Sequence, residues 1–461
     1  MRIWVTGVGV VSPVGRGARA TMDALVEGRR GFRELTLFEL PGARARIAAE
    51  VDDVAPAKHA PPGAAAPFSR TDVMALVAAR EALAEARLDP RELSTALAVG
   101  GSTTGMFENE IGLAEMSRDP ASIHPLPEVV SHPLSSTADR LHEALGGFER
   151  VRSVCSACSS GANAIVLAAA WLVAGRSSRV LVGGADGLCR LTYAGFGALG
   201  ALSPEPCRPF DARRSGLSLG EGAAFLVLET DASARARGAE PIAELAGWAS
   251  RAEAHHITNP ERSGATAARV IAEALATGGL SPRDVDYVNA HGTATPLNDV
   301  MEAEAIRAAL GAEAGRVLVS STKGQIGHTL AAAGAIEAVV AALAVARGEV
   351  PPTAGLDEID PACRLEHVRA GTRLPVRAAV SNSFGFGGSD TSLVFAEPGR
   401  SRAHASRNAR AVVTGGASVG PLGVLDAAGT RAYLDAGPPP APPPIPVAFA
   451  DHLDLARARR I

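Results

Sequence analysis

Arg150-Val151-Arg152-Ser153-Val154-Cys155-Ser156-Ala157-Cys158-Ser159-Ser160-Gly161-Ala162-Asn163-Ala164-Ile165 is the stretch around which the rest of the chain makes sense. A short β-prone run ends in a cluster of small residues, and an Ala-rich run, Ala162 to Val173, follows at once. The pattern predicts strand, sharp turn and buried helix. It puts Cys158 at or near the first turn of that helix. Free backbone N–H groups and the positive end of the helix dipole collect there, and both favour a thiolate. Small neighbours leave room for a substrate to reach the sulfur. The competing reading is a buried core thiol, the usual role of a free cysteine. Two histidine motifs downstream weigh against it.

The chain of 461 residues is longer than one compact core usually holds, so two core units or a two-part domain are expected. A net charge of −4 gives no reason to expect nucleic acid or an anionic membrane as partner. The five cysteines are too few and too scattered for a disulfide framework, and they form no repeated Cys-x-x-Cys metal pattern, so no metal is expected. Cys155 and Cys158 make one Cys-x-x-Cys, for which a redox pair is the minor reading. The apolar N-terminus is broken by Gly7, Gly9 and Pro13 and reads as strand and turn, not signal peptide. No apolar run looks long enough to span a bilayer. A cytoplasmic, reduced enzyme fits these features. Lysine occurs only at Lys58 and Lys323 in a chain that otherwise uses arginine, which marks both as places for a compact ammonium.

Strands and helices alternate along the chain, which argues for an α/β protein with buried sheets. Val5-Thr6-Gly7-Val8-Gly9 has part of a dinucleotide loop, but Ser12 stands where a third glycine is needed. Ala43 to Ala66, rich in Ala and Pro, reads as surface chain. Around Arg235 to Pro241 a second half begins, and three of its stretches carry chemistry. In Val285 to Pro296, His291 sits just past a strand end, where active-site residues of open α/β sheets gather. In Val317 to His328, Lys323 and His328 precede an Ala-rich helix, Thr329 to Ala346, that carries Glu337. This helix is similar to the one after Cys158, and close packing of the two would bring Cys158 and His328 together. In Ser381 to Asp390, a glycine-rich turn around Phe386 permits close backbone approach to a ligand.

Together, Ser156-Ala157-Cys158-Ser159-Ser160-Gly161, His291-Gly292-Thr293-Ala294-Thr295-Pro296, Lys323 with Gly327-His328, and Gly385-Phe386-Gly387-Gly388 resemble the β-ketoacyl-acyl carrier protein synthases, above all their elongating type II members. The resemblance covers about residues 1 to 398. It implies an α/β, thiolase-like five-layer α-β-α-β-α sandwich built from two similar halves, residues 1–235 with the cysteine and 236–398 with the histidines. It implies decarboxylative condensation of an acyl group on Cys158 with malonyl-acyl carrier protein. It makes His291 and His328 donors to the malonyl thioester carbonyl, Lys323 with Glu337 their electrostatic support, and Phe386 a gate and oxyanion-hole residue. Thr293 and Thr295 match positions that contact the phosphopantetheine arm. Glu253 and His256-Ile257-Thr258 are similar to a mobile loop at the entrance, with Glu253 where aspartate is usual. No separate cofactor is implied, since phosphopantetheine belongs to the carrier protein. The implied partners are that carrier protein and a second subunit, identical or related.

The alternatives are a non-catalytic chain-length partner subunit, and a thiolase or thioester hydrolase on the same fold. The presence of Cys158 argues against the first. His328, where priming enzymes typically carry Asn, points to elongation. One departure concerns the gate: the family's Gly-Gly-Thr-Asn is Gly387-Gly388-Ser389-Asp390 here. Residues 399–461 form a Pro-rich tail in which Val413-Thr414-Gly415, Val419, Pro421 and Gly423 repeat Val5-Thr6-Gly7, Val11, Pro13 and Gly15. The tail reads as the opening of a second, truncated copy. Its strand-like piece, Ala411 to Val419, has no second sheet to join.

Overall fold

The computed structural model describes residues 1–54, 64, 67–92, 94–119, 131–405, 417–420 and 423–426. Lys58, most of the Ala- and Pro-rich stretch after Val54, and the run Gly437 to Pro444 lie outside the described residues. Met1–Ser406 forms one compact unit and Arg407–Ile461 another.

The first unit is built on β1 (Ile3–Ser12), β2 (Thr95–Gly100), β3 (Phe148–Val154), β4 (Arg179–Asp186), β5 (Gly222–Thr230), β6 (Ala243–Ala252), β7 (Tyr287–Asn289), β8 (Leu318–Ser320), β9 (Glu366–His367), β10 (Ala378–Gly385) and β11 (Ser389–Ala396). They hydrogen-bond in the order β9-β8-β7-β10-β11-β6-β1-β5-β4-β2-β3. Between β6 and β1 the row divides into two copies of one pattern. In the first half β3, β2 and β4 are parallel, and β5 and β1 follow antiparallel. In the second, β8, β7 and β10 are parallel, and β11 and β6 follow antiparallel, with β9 added at the edge. Each half therefore runs third-second-fourth-fifth-first in its own chain order. The halves join where β1 meets β6, at Trp4↔Glu244 and Val5↔Ala243.

The helices α1 (Arg70–Ala86), α2 (Ser160–Val173), α3 (Ala265–Thr277), α4 (Pro296–Leu310) and α5 (Ala333–Arg347) complete five layers. α1 packs on the outer face of the first sheet and α3 and α4 on that of the second, while α2 and α5 lie between the sheets. Composition explains the placement. An amphipathic helix can face water, but one apolar all round must be buried, and nearly every residue of α5 is. By length and apolarity the segment Leu330–Arg347 is able to cross a membrane, contrary to expectation, yet 89% of it is buried inside the protein. The sandwich accounts for its apolarity.

Glycines set the closest approaches. A Cβ at Gly161 of α2 would lie 2.7 Å from the Ala331 carbonyl oxygen, and one at Gly334 of α5 would lie 2.9 Å from the Ala162 nitrogen. The central helices thus touch backbone to backbone, and each follows the third strand of its half. The Gly7-x-Gly9 pair works the same way. A Cβ at Gly7 would sit 2.2 Å from the Ala82 carbonyl oxygen, and at Gly9 2.0 Å from that of Ala78. These glycines admit α1 onto β1. Its Glu81 and Glu85 then accept from the Val10 and Val8 N–H groups at 2.9 and 2.7 Å.

Two boundaries need correction. The first unit does not stop at 398. The Gly399 N–H donates to buried Glu244 at 2.6 Å, Arg402 N–H to Gly278 O at 2.8 Å, and His404 N–H to Met1 O at 2.8 Å. The tail strand is also not alone: Ala417–Gly420 pairs antiparallel with Gly423–Asp426. Its register, Val419↔Val424 and Gly420↔Gly423, matches that of the hairpin at Val11↔Arg16 and Ser12↔Gly15. At the described residues 417–420 and 423–426 the hairpin register thus repeats that of the chain's beginning.

Candidate active site

β3 delivers the chain to Cys158 through a turn held by serines. Ser159 N–H donates to Ser156 O and Ser160 N–H to Ala157 O. The Ser160 hydroxyl donates to Ala157 O at 2.6 Å and accepts from Ser156 N–H at 2.9 Å. Ala157, with φ of 52°, takes the left-handed conformation that a side chain disfavours. This bend aims Cys158 into a cleft. The helix begins at Ser160 with Ser159 as its cap, so Cys158 stands just ahead of the first turn.

The thiol is buried, and burial pushes its pKa up to about 11. The Phe386 N–H hydrogen bond, the Lys323 charge and its own N–H pull the other way, while Asp186 opposes them. Desolvation therefore outweighs the helix end that was expected to favour a thiolate. At neutral pH the unacylated cysteine is a thiol. The exposed Cys155 points elsewhere and does not line the cleft.

His291 and His328 stand edge to face, their ring centroids 5.4 Å apart. Burial and then the Lys323 charge hold both well below the ordinary histidine value, so both rings are neutral. The His328 backbone is clamped by the first half: its N–H donates to Ser218 O at 2.7 Å, and Gly220 N–H donates to its carbonyl at 3.0 Å. A Cβ at Gly327, where φ is 70°, would meet Gly220 N and Leu219 O at 2.9 Å, so only glycine allows the clamp. The His328 Nδ1 accepts from Leu330 N–H at 3.2 Å. That assigns the ring proton to Nε2, which is buried and has no partner among the described residues. A neutral imidazole thus offers one unused N–H donor.

Lys323 donates to Glu337 on α5, and both side chains are almost wholly buried. Burial pushes Glu337 up to about 7 against the pull of Lys323. Thr293 and Thr295 line the cleft with hydroxyls 2.9 Å apart. Phe386 is part exposed, with its ring tilted against Phe196 at 5.6 Å between centroids and its N–H toward the Cys158 sulfur. The cleft brings Cys158, His291, His328, Thr293, Thr295 and Phe386 together. Lys323 and Glu337 stay behind it. Glu253, His256, Thr258 and buried Asp390 also line the cleft.

Sequence reasoning missed Glu302 of α4. Its carboxylate accepts from the N–H groups of His291 and Gly292 at 2.8 and 2.7 Å, and from Asn382 at 3.2 Å. It fixes the loop that presents His291. It missed Asp186 too, whose buried carboxylate accepts from Thr103 N–H and Ala331 N–H, both at 2.8 Å, and so ties the start of the central helix pair to the first sheet. For Asp186 the usable signal was a carboxylate ending a strand of apolar residues, which must find donors to be tolerated. Glu302 shares α4 with Asp299, Glu304 and Arg307, and nothing local singled it out.

A thiol that receives backbone N–H groups, set opposite two neutral imidazoles in a thiolase-like sandwich, defines an acyl-transferring condensing enzyme. Comparison places it: the chain belongs to the β-ketoacyl synthase family. The Beta-ketoacyl synthase N-terminal domain matches residues 1–234 and the C-terminal domain residues 242–357. The 3-oxoacyl-[acyl-carrier-protein] synthase 2 of Synechocystis is 37% identical over 86% of this chain and 97% of its own length. Two solved structures each cover 86% of this chain and are themselves 99% covered. The ishigamide ketosynthase/chain length factor has a TM-score of 0.80 at 32% identity. A type II PKS acyl-carrier protein in complex with its ketosynthase bound to the hexaketide has 0.78 at 30%.

Proposed function

We propose that this enzyme condenses an acyl group held on Cys158 with malonyl-acyl carrier protein, giving β-ketoacyl-acyl carrier protein and carbon dioxide in fatty acid or polyketide synthesis. The observation that carries the reading is the unused Nε2–H of His328 in the cleft of Cys158. In the first step the Cys158 sulfur attacks an acyl thioester. The tetrahedral oxygen is received by the N–H groups of Cys158 and Phe386, and the thiol proton leaves with the carrier's thiol. In the second step the malonyl carboxylate departs as carbon dioxide. The electrons left behind collect on the thioester oxygen, where His291 and His328 donate hydrogen bonds. Donors must be neutral but protonated on the facing nitrogen, which the His328 tautomer supplies. The carbanion then attacks the acyl-Cys158 carbonyl and expels the sulfur, which takes up a proton. Burial, and then the charge of Lys323 paired with Glu337, keep both imidazoles neutral. Thr293 and Thr295 hold the phosphopantetheine arm, and no further cofactor takes part.

The partners in this reading are acyl carrier protein and a second ketosynthase-like subunit, identical or related. The ketosynthase complexes described above support both, and a reduced cytoplasm suits the free thiols. Residues beyond the first unit read as the opening of a second condensing-enzyme copy, on the strength of the repeated hairpin register. The alternative, a silent chain-length partner, leaves the Cys158, His291, His328 and Lys323 set without a use. The test is mass spectrometry of acyl groups captured from acyl carrier protein. Cys158→Ala should lose both capture and condensation, and Cys155→Ala should keep both. Acyl groups found on Cys155, or condensation by Cys158→Ala, would overturn the assignment.

A further inference from the structure

Two acidic side chains that line the cleft have no place in the chemistry above. Glu253 directly follows β6 and Asp390 is the second residue of β11. The pairing Arg251↔Asp390 and Ala252↔Ser389 sets them side by side. Their carboxyl groups contact each other. Asp390 is 1% exposed, and its Oδ2 receives no N–H or O–H donor among the described residues. Among those residues no Arg or Lys makes an ion pair with either acid, while Glu253 Oε2 accepts the Glu261 N–H at 2.9 Å. Two carboxylates in contact, one of them buried, cannot both stay ionised, so one proton must lie between them.

The backbone shows what this contact holds. Glu253 N–H donates to Gly388 O, and Gly387 N–H donates to Ile257 O, both at 2.8 Å. Gly387 and Gly388 take φ of 86° and 74°, so the turn bearing Phe386 is a left-handed glycine loop with little stiffness of its own. Two backbone bonds and one carboxyl pair fasten it to the Glu253–Ile257 segment. The same turn brings the Phe386 N–H to the Cys158 sulfur.

We propose that Glu253 and Asp390 are a positioning pair that shares one proton and latches the Phe386 loop over Cys158, so that loss of this proton frees the loop. The inference rests on Phe386 being gate and oxyanion donor. Burial first, then the Glu253 charge and the direct bond to it, push Asp390 up to about 8, and Glu261 and Glu302 push the same way. Burial also raises Glu253, against the Glu261 N–H; the Glu261 charge raises it further, while His255 and the bond to Asp390 lower it. His256 shares the cleft. The sign follows from linkage. The latched pair binds its proton more tightly than two separated carboxyls, so the latched form is favoured at low pH. Its advantage falls by about tenfold per pH unit from the ordinary carboxyl range up to about 8, and above that, with the pair ionised in both forms, it no longer changes.

The test is hydrogen exchange of the 384–390 peptide, which contains the Gly387 N–H, followed by mass spectrometry from pH 6.5 to 9.5 and corrected for intrinsic exchange. Protection in the wild type should fall by about tenfold per unit from pH 6.5 to about pH 8 and level off above it. Asp390→Asn supplies a neutral N–H donor to Glu253, and Glu253→Gln one to Asp390. Either variant should hold its protection level across the range. Profiles that coincide in all three proteins would overturn the latch, as would protection lost at every pH in both variants. Condensation assayed on the same samples keeps the two readings apart. Its absence at every pH sinks the proposed function, whereas unaltered exchange profiles sink the latch alone.

Discussion

His328→Ala removes one aimed donor and leaves its surroundings nearly intact. The backbone clamp, His328 N–H to Ser218 O and Gly220 N–H to His328 O, does not depend on the side chain. Two things are lost. The Leu330 N–H, now given to Nδ1 at 3.2 Å, loses its acceptor. In a buried site that costs about 1–3 kcal/mol of stability, well short of unfolding a typical domain. The second loss is the Nε2–H, which has no other task. Removal of one such donor from a preorganised anion site costs about 10²–10³ in rate, or about 2.7–4 kcal/mol. That penalty falls on decarboxylation, where charge builds on the malonyl thioester oxygen. Acyl transfer to Cys158 draws on the N–H groups of Cys158 and Phe386 and should fall less than about tenfold. Release of labelled carbon dioxide from malonyl-acyl carrier protein measures the first, and the acylated Cys158 peptide measures the second. His328→Gln restores an N–H donor and should recover part of the loss. Carbon dioxide release by the Ala variant within about threefold of wild type would refute the reasoning, as would equal loss of both half-reactions.

Lys323→Ala should cost about 1–3 kcal/mol, because buried Glu337 loses its partner and takes up a proton. Urea denaturation checks it, and a loss under about 1 kcal/mol would show that the pair carries little weight. Truncation after Ser406 should leave the melting temperature within about 2 °C and condensation unchanged, since the first compact unit ends there. Truncation after Pro398 removes the Gly399 N–H and Ser401 hydroxyl that buried Glu244 accepts, and should lower it by more than about 4 °C. Equal melting temperatures for the two truncations would contradict the boundary drawn here.

Local order in the sequence was enough for the strand, turn and helix around Cys158. It was also enough for the similar arrangement around His328, because small-residue runs and periodicity act over a few positions. The same runs foretold two apolar helices meeting at the centre, since a helix without a polar face has nowhere else to go. The family, the five-layer sandwich and the identities of Cys158, His291, Lys323 and His328 could all be read before any coordinates. The protonation states could not. The cap position of Cys158 predicted a readily ionised thiol, but burial by residues far along the chain pushes it up to about 11. The His328 tautomer rests on the Leu330 N–H, and the His291 loop on Glu302, eleven positions on. Glu253 and Asp390 looked like two separate departures until strand pairing set them against each other. Pattern along a chain reports which faces are apolar. Charge, proton position and hydrogen-bond partner depend on what surrounds an atom in space, and only the packed sheets and helices decide that.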